Sequence, residues 1–326
     1  MTVALAAKVL AAWGAADGVA KVAERENAVY RARLDGARDV ALRLHRPGYR
    51  ARDAICAELE WTTALADAGV RCPHPVRTAS GAWLADAGDG RVASVVSWVK
   101  GRPMAPEPER FQALGDTLAR FHGAADALAG QIPTAALPRW DAAGLLGDTP
   151  IWGRFWESPA LSAPEQARLA GLRDLMRATL GHLGEADTGL IHADVLADNV
   201  LDDAQGPTLI DFDDCGIGYR GYDLGTALVA HADRAEFPAL SAALVQGYAA
   251  RRGRADGEVA RHLPLFVALR AAASCAWADT RTPQGDPRRR SYAARALKLC
   301  AAWADGAAQP PQNGSGAPLA RIVPSG

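Results

Sequence analysis

Leu5, Val9 and Trp13 recur at helical spacing inside MTVALAAKVLAAWGAADG, which predicts a first amphipathic helix. The hydrophobic period then changes to two. Residues 19–41 read as β-rich: 27–34 alternate apolar and polar side chains, Asp35-Gly36 is a strong turn signal, and 39–44 form the return strand. Residues 53–68 return to a helical repeat with Trp61 and Leu65 on the packing face. Strand signals resume at Trp83-Leu84 and over 92–99, on either side of a glycine-bearing turn at 86–90. The nearly continuous apolar run 94–99 ends at Lys100-Gly101-Arg102-Pro103, the pattern of a central strand entering a linker. Beyond it helices dominate. Phe111, Leu114, Leu118 and Phe121 mark a helix over 107–127, and a Trp-dense, loop-like stretch at 133–157 precedes a long helix over 163–183. Further helices are predicted at 224–232, 235–251, 263–280 and 288–303, and the Pro-, Gly- and Ser-rich residues 307–326 read as a disordered tail.

Between the last two groups of helices lies GLIHADVLADNVLDDAQGPTLIDFDDCGIGYRGYDL, residues 189–224. Two short apolar strands each hand on to a polar cluster. Gly189-Leu190-Ile191 leads into His192-Ala193-Asp194 with Asp198-Asn199 behind, and Thr208-Leu209-Ile210 leads into Asp211-Phe212-Asp213-Asp214. A β-hairpin joins them across 203–207. Carboxylates at the ends of buried strands are costly without a cation, and an oxygen-only set with one amide suits Mg²⁺. Phosphoryl transfer needs a carboxylate to take or orient the acceptor hydroxyl's proton, and an Asn and an Asp to hold metal. Asp194, Asn199 and Asp211 have that order and spacing. The competing structural account is an acidic loop pair that only caps helices. His192 reads as a scaffold for the loop, Asp213 as reaching the metal through water because alternation puts it on the side of Asp211, and Asp223 as a helix cap that also binds the catalytic segment.

HADxxxxN, then IDFDD, then YDL resembles the aminoglycoside phosphotransferase superfamily, with homoserine kinase type II and the bacterial stress-response Ser/Thr kinases as the nearest groups. The resemblance covers about 300 residues. It implies a protein-kinase-like bilobal α+β fold, with a small β-rich N-lobe (1–100, nucleotide-binding), a larger, mainly helical C-lobe (101–306, catalytic and acceptor-binding) and the tail 307–326. It implies Asp194 as catalytic base, Asn199 and Asp211 as Mg²⁺ ligands, and ATP as donor. In the N-lobe it places Asn27 in the turn 23–27 that covers the phosphates, although that turn has no glycine. A turn-capping Asn is the equal alternative there. It puts Arg43 where relatives carry a phosphate-binding Lys, and Glu58, rather than its neighbour Glu60, as the partner. The hinge backbone around Ser97 and Val99 would bond adenine. Relatives often read HGDLHxGN where this chain has HADVLADN, so Leu196 replaces a His and Asp198 a Gly. His122, in a stretch similar to the family's LARLH, reads as structural. Trp277, Asp279 and Arg281 fall where relatives contact the acceptor.

Composition narrows the reading. Hydrophobic residues are 49%, charged residues 22%, and the net charge is −1, so no global charge draws the chain to nucleic acid or a membrane surface. Lys8 interrupts the apolar N-terminus, no run is long enough to span a bilayer, and five cysteines without a CxxC suit reduced thiols, so a cytoplasmic location is expected. Residues 187–223 hold nine Asp and one Arg, which predicts a negative site favouring an amine-bearing acceptor and disfavouring a phosphorylated or polycarboxylate one. The function that follows is a Mg-ATP-dependent phosphotransferase acting on a hydroxyl of a small molecule: an aminoglycoside, a hydroxy amino acid or an amino alcohol. The alternatives are a stress-response-type protein Ser/Thr kinase and a silent nucleotide-binding pseudokinase, the latter favoured by Arg43 and the glycine-free turn.

Overall fold

The computed structural model describes residues 2–24, 27–183 and 187–307, and the change of period near residue 100 becomes a change of architecture. The N-terminal part comprises α1 (Val3–Leu10), β1 (Ala16–Glu24), β2 (Ala28–Leu34), β3 (Arg38–Leu44), α2 (Arg52–Asp67), β4 (Pro75–Val76), β5 (Ala85–Gly88) and β6 (Arg91–Ser97). Its strands form one antiparallel sheet in the order β1-β2-β3-β6-β4, with β5 also on β6. Strand alternation decides what each face does. Val40, Leu42 and Leu44 of β3 pack with α1 and Trp13, whose indole donates to the Val76 carbonyl (2.7 Å). Ala41 packs on the other face with Ile55 and Leu59 of α2. Arg43 shares the parity of Ala41, so the strand presents it towards α2.

The C-terminal part comprises β7 (Arg102–Pro103), α3 (Pro108–Ala127), β8 (Arg139–Trp140), α4 (Ala142–Leu146), α5 (Ala163–Leu183), β9 (Thr188–Ile191), β10 (Val200–Asp203), β11 (Gly206–Leu209), β12 (Gly216–Tyr219), α6 (Arg220–Val229), α7 (Phe237–Arg252), α8 (Asp256–Ala260), α9 (Leu263–Arg281) and α10 (Pro287–Ala307). Helices α3 and α7 approach closely because glycines meet at their crossing. A Cβ on Gly115 would lie 2.2 Å from the Leu244 carbonyl oxygen, and one on Gly247 would lie 1.9 Å from that of Gln112. The hairpin β10–β11 is extended by β7, while β9 pairs with β12 and β12 with β8. A small N-terminal sheet lobe on a larger, mainly helical lobe is the protein-kinase-like α+β arrangement that the sequence predicts. Three differences are local. The stretch 133–157 is partly ordered as β8 and α4, β12 follows the acidic cluster, and α8 precedes α9. These elements are too short to show a period. Residues 308–326 of the expected tail lie outside the described residues. No helix among the described residues is long and apolar enough to cross a membrane.

Candidate active site

Strand β9 delivers the chain to His192, where it turns sharply. Ala193 has φ +64°, a left-handed conformation that costs an alanine roughly 1–2 kcal/mol. Asp223, fully buried in the first turn of α6, holds that turn: its carboxylate accepts the amides of His192 (2.9 Å) and Ala193 (2.7 Å). His122 lies 3.0 Å from the same carboxylate through Nε2 and 2.9 Å from the Tyr248 hydroxyl through Nδ1. With Asp223 ionised, Nε2–H is the donor. Asp223 therefore binds the catalytic segment, as the sequence suggests, but does not cap α6, whose N-cap is Tyr219 without a side-chain bond. His192 is the scaffold. Its Nε2–H donates to the Ile210 carbonyl (2.9 Å), and its Nδ1 accepts the Asp194 amide (3.3 Å).

The three predicted chemical residues converge. The Asn199 amide nitrogen donates to the Asp194 carbonyl (2.9 Å) and to Asp194 Oδ2 (2.7 Å), which leaves Asn199 Oδ1 as its oxygen for another partner. The Ile210 amide donates to the Asn199 carbonyl (2.9 Å), so Asp211 stands one residue from a bond that ties the two segments. Asp211 is itself left-handed (φ +63°), and its carboxylate is half exposed in the cleft. Two oxygen donors on adjoining segments, one of them a solvated carboxylate, fit a hard divalent cation. Among the described residues no group of three or more His, Cys, Asp and Glu side chains forms a cage. Asp213 lies on the side of Asp211, as alternation predicts: both carboxylates face Arg43 Nη2, and Asp213 also takes the Asn27 amide, although strand β11 already ends at Leu209 and the chain turns at Asp211.

The N-lobe residues face the same space. Arg43 Nη1 donates to Glu58 Oε1 (2.7 Å), both side chains being buried, and Arg43 Nη2 lies 3.6 Å from Asp211. Asn27 accepts the Arg46 amide on its Oδ1 (3.3 Å) and donates to Asp213, so it ties the turn to the C-lobe; Arg25 and Glu26 of that turn lie outside the described residues. Ser97 is tied to His74. Its amide bonds the His74 carbonyl and its hydroxyl accepts the His74 amide, each at 2.8 Å, and the Trp98 amide goes to Asp39. Val99 follows with no amide partner among the described residues. Asn27, Arg43, Glu58, Ser97, Val99, Asp194, Asn199 and Asp211 all line a single cleft of ≈ 1120 Å³.

Arg270 escapes sequence reasoning. Fully within α9, it buries its guanidinium against the ring of Trp152 (4.8 Å), donates to Asp194 Oδ1 (2.6 Å) and bonds the carbonyl of the strained Ala193 (3.1 Å). Burial acts to lower its pKa, and the charges of Asp194, Tyr222 and Asp214 more than offset it. An arginine on an otherwise apolar helix was the only sign in the sequence. Trp140 packs between Trp152 and Tyr222 and donates to the Asp214 carbonyl (2.8 Å), so of the Trp-dense stretch only Trp152 lines the cleft. Cys215 is buried, which pushes its thiol up and makes it a poor nucleophile.

The count of nine Asp overstates the negative charge. Asp187 pairs with Arg220 and Arg254, Asp202 with Arg110 and Asp203 with Arg71, all away from the cleft, and Asp223 lies under the loop. Of those that line it, Asp194 pairs with Arg270, Asp213 with Arg43 and Asp214 with Arg50 (3.1 Å). Trp277 and Arg281 also line the cleft.

The chain is similar to known proteins. A homoserine kinase of Rhodopseudomonas palustris (strain TIE-1) is 33% identical over 230 residues, 67% of this chain and 65% of its own length. Another, from Gluconobacter oxydans (strain 621H), is 32% identical over 217 residues. The chain thus spans about two thirds of these relatives, 65% in each case. The structure of a microcompartment-associated aminopropanol kinase superposes with a TM-score of 0.81 at 31% identity, covering 94% of this chain and 98% of that one. An amicoumacin kinase, 20% identical, shares the fold with a TM-score of 0.71 over 93% of each chain. The profile of the phosphotransferase enzyme family matches residues 19–263, the span from β1 to the start of α9 that holds every cleft residue placed above except Arg270 and those beyond it, and the chain belongs to that family.

Proposed function

We propose that this protein is a Mg-ATP-dependent phosphotransferase that moves the γ-phosphoryl group to a hydroxyl of a small, amine-bearing acceptor. The observation that carries the reading is the convergence of Asp194, Asn199 and Asp211 on one cleft, with Arg43 and Glu58 across it. Asp194 receives or orients the hydroxyl proton. Its two oxygens are held by Arg270 and Asn199, and each keeps a lone pair for the acceptor. Asn199 Oδ1 and Asp211 would hold the metal, which would supply charge neutralisation for the donor's phosphates. Arg43, kept in place by Glu58, exchanges its contact with Asp213 for the α- and β-phosphates; a guanidinium does this bidentately. Asn27 anchors the turn over the phosphates, and at the hinge Val99 offers its amide to adenine beside the wall made by Ser97.

Support for an amine comes from the relatives, since homoserine and aminopropanol each carry an amine and a hydroxyl. The test is Mg²⁺-dependent ATP turnover against hydroxy amino acids, amino alcohols and aminoglycosides, with casein as a protein acceptor. Asp194→Ala should lose transfer by about a hundredfold or more with nucleotide binding intact. Asp211→Ala should weaken Mg-ATP binding in calorimetry run with and without metal. Normal turnover by the Asp194 variant with acceptor present would refute the role given to that residue.

A further inference from the structure

Helices α9 and α10 lend the cleft four arginines, Arg270, Arg281, Arg288 and Arg295, and no carboxylate. Spacing explains why they share a wall. Arg270 and Arg281 are three turns apart on one face of α9, while Arg288 and Arg295 are two turns apart on α10. The helices run antiparallel in a fixed register: the rings of Trp277 and Tyr292 lie 6.1 Å apart, and Cys300 Sγ bonds the Ala268 carbonyl (3.6 Å). That register sets the backbone of Arg295 level with Ser274, one turn, or about 6 Å along the axis, from the backbone level of Arg270, whose side chain holds Asp194.

The four guanidiniums differ in how they are satisfied. Arg270 is paired with Asp194, Arg288 takes both oxygens of Asp286, and Arg281 lies 4.5 Å over the ring of Tyr49. Arg295 is half-buried, its ring contact is Tyr292 at 5.8 Å, and among the described residues no carboxylate is within ion-pair reach of it. A partly desolvated cation that faces a substrate cleft without a counter-ion is complementary to an anion supplied by the ligand.

We infer that Arg295, flanked by Ser274 and Tyr292, is an anion subsite of the acceptor pocket, so that the acceptor carries a carboxylate or phosphate a few bonds from the hydroxyl it presents to Asp194. This subsite deepens the phosphotransferase reading and rests on it. Four bonds of about 1.5 Å separate the hydroxyl oxygen of a γ-hydroxy amino acid from its carboxylate carbon, which matches the one-turn offset between Arg270 and Arg295. A zwitterionic hydroxy amino acid is then preferred over an amino alcohol of the same length, the opposite of what the Asp count alone suggests.

The test uses the full chain and three probes: L-homoserine, its decarboxylated counterpart 3-aminopropan-1-ol, and glycerol 3-phosphate. Turnover is measured with Mg-ATP, and binding by calorimetry with Mg²⁺ and a non-hydrolysable ATP analogue. An anionic probe should be favoured, and Arg295→Gln should raise its KM about tenfold or more with kcat and the KM for ATP little changed. The two anionic arms decide between carboxylate and phosphate. Arg295→Lys should restore part of the affinity, and 3-aminopropan-1-ol should be indifferent to both variants. Equal use of 3-aminopropan-1-ol and L-homoserine, an equal loss for all three probes in Arg295→Gln, or no binding of either anion at millimolar concentration overturns the subsite. Arg295-dependent anion binding without phosphate transfer keeps the subsite and overturns the phosphotransferase reading instead.

Discussion

Replacing Asp223 by Asn tests whether the strained turn at Ala193 is held in place from beneath. The carboxylate accepts three donors in a fully buried site: the His192 and Ala193 amides and His122 Nε2–H. An asparagine keeps one oxygen and turns an NH₂ towards at least one of these donors. One buried donor left unmade costs about 1–3 kcal/mol, and a strain of roughly 1–2 kcal/mol at the left-handed alanine is then free to relax, which returns part of that cost. At about 2–4 °C per kcal/mol for a protein of this size class, a net loss of about 1–2 kcal/mol in Asp223→Asn should lower Tm by roughly 2–8 °C. The same relaxation moves Asp194. A displacement of about 1 Å at a positioned group can cost a hundredfold in rate, so kcat should fall by at least about tenfold while the KM for ATP holds. Circular-dichroism melting and a coupled ATP assay read the two effects. Ala193→Gly supplies the discriminating arm, because glycine occupies φ +64° without strain. Added to Asp223→Asn, it should recover part of kcat, giving a coupling energy of about 0.5 kcal/mol or more in a double-mutant cycle. An unchanged Tm and kcat in Asp223→Asn, or strict additivity of the two changes, refutes the reasoning.

Two more outcomes follow from single buried groups. Arg270→Met keeps the packing on Trp152 but leaves Asp194 with Asn199 as its remaining side-chain donor; kcat should drop about ten- to a hundredfold with the KM for ATP unchanged, Arg270→Lys recovering part of it, and a kcat equal to wild type in steady-state assays would exclude a positioning role. His45 is buried against Ser94 (2.8 Å) beside Arg43, and burial, then the Arg43 charge, depress it to about 3. A folded pKa below the unfolded 6.5 means that the unfolded chain alone gains the proton as pH falls, so stability present above about pH 6.5 is lost on the way towards pH 3, by about 1.4 kcal/mol at pH 5.5. Asp214, raised to about 6, acts in the opposite direction over part of that range, so the measurement is the difference between wild type and His45→Gln in denaturant melts at pH 7.5 and 5.5; equal acid losses in both would refute the assignment.

What the sequence reveals of this fold follows the range over which each interaction acts. The alternation over 27–34 and the helical repeats over 107–127 and 163–183 are local, and they appear as β2, α3 and α5 within a residue or so of the expected ends. The hairpin between Asn199 and Asp211 is also local, which is why its chemical residues were visible in order and spacing. Backbone strain was legible only indirectly. Relatives often carry glycine where this chain has Ala193, and the left-handed φ there gives the physical reason, although alternation reasoning ran on through Asp211 as if the strand continued.

Charge pairing was the least legible, because partners meet from distant elements. Arg270 is 76 residues from Asp194, and Asp213 is joined to Arg43 and Asn27 across the whole interlobe cleft. A window that holds nine Asp and one Arg therefore describes composition and not field. At close range an ion pair cancels most of what either charge projects beyond a few ångströms, so the field an acceptor meets is set by the groups left over after pairing. Two of the groups that pairing neutralises least are Asp211, half exposed although 3.6 Å from Arg43, and Arg295, with no carboxylate in ion-pair reach among the described residues; in the proposed reading the first faces metal and phosphates and the second the acceptor. A negative residue at one end and a positive one at the other orient a zwitterion and repel a simple cation from the arginine wall. Exchanging their signs separately should thus move metal and nucleotide affinity in one case and acceptor choice in the other, with little cross-talk between the two.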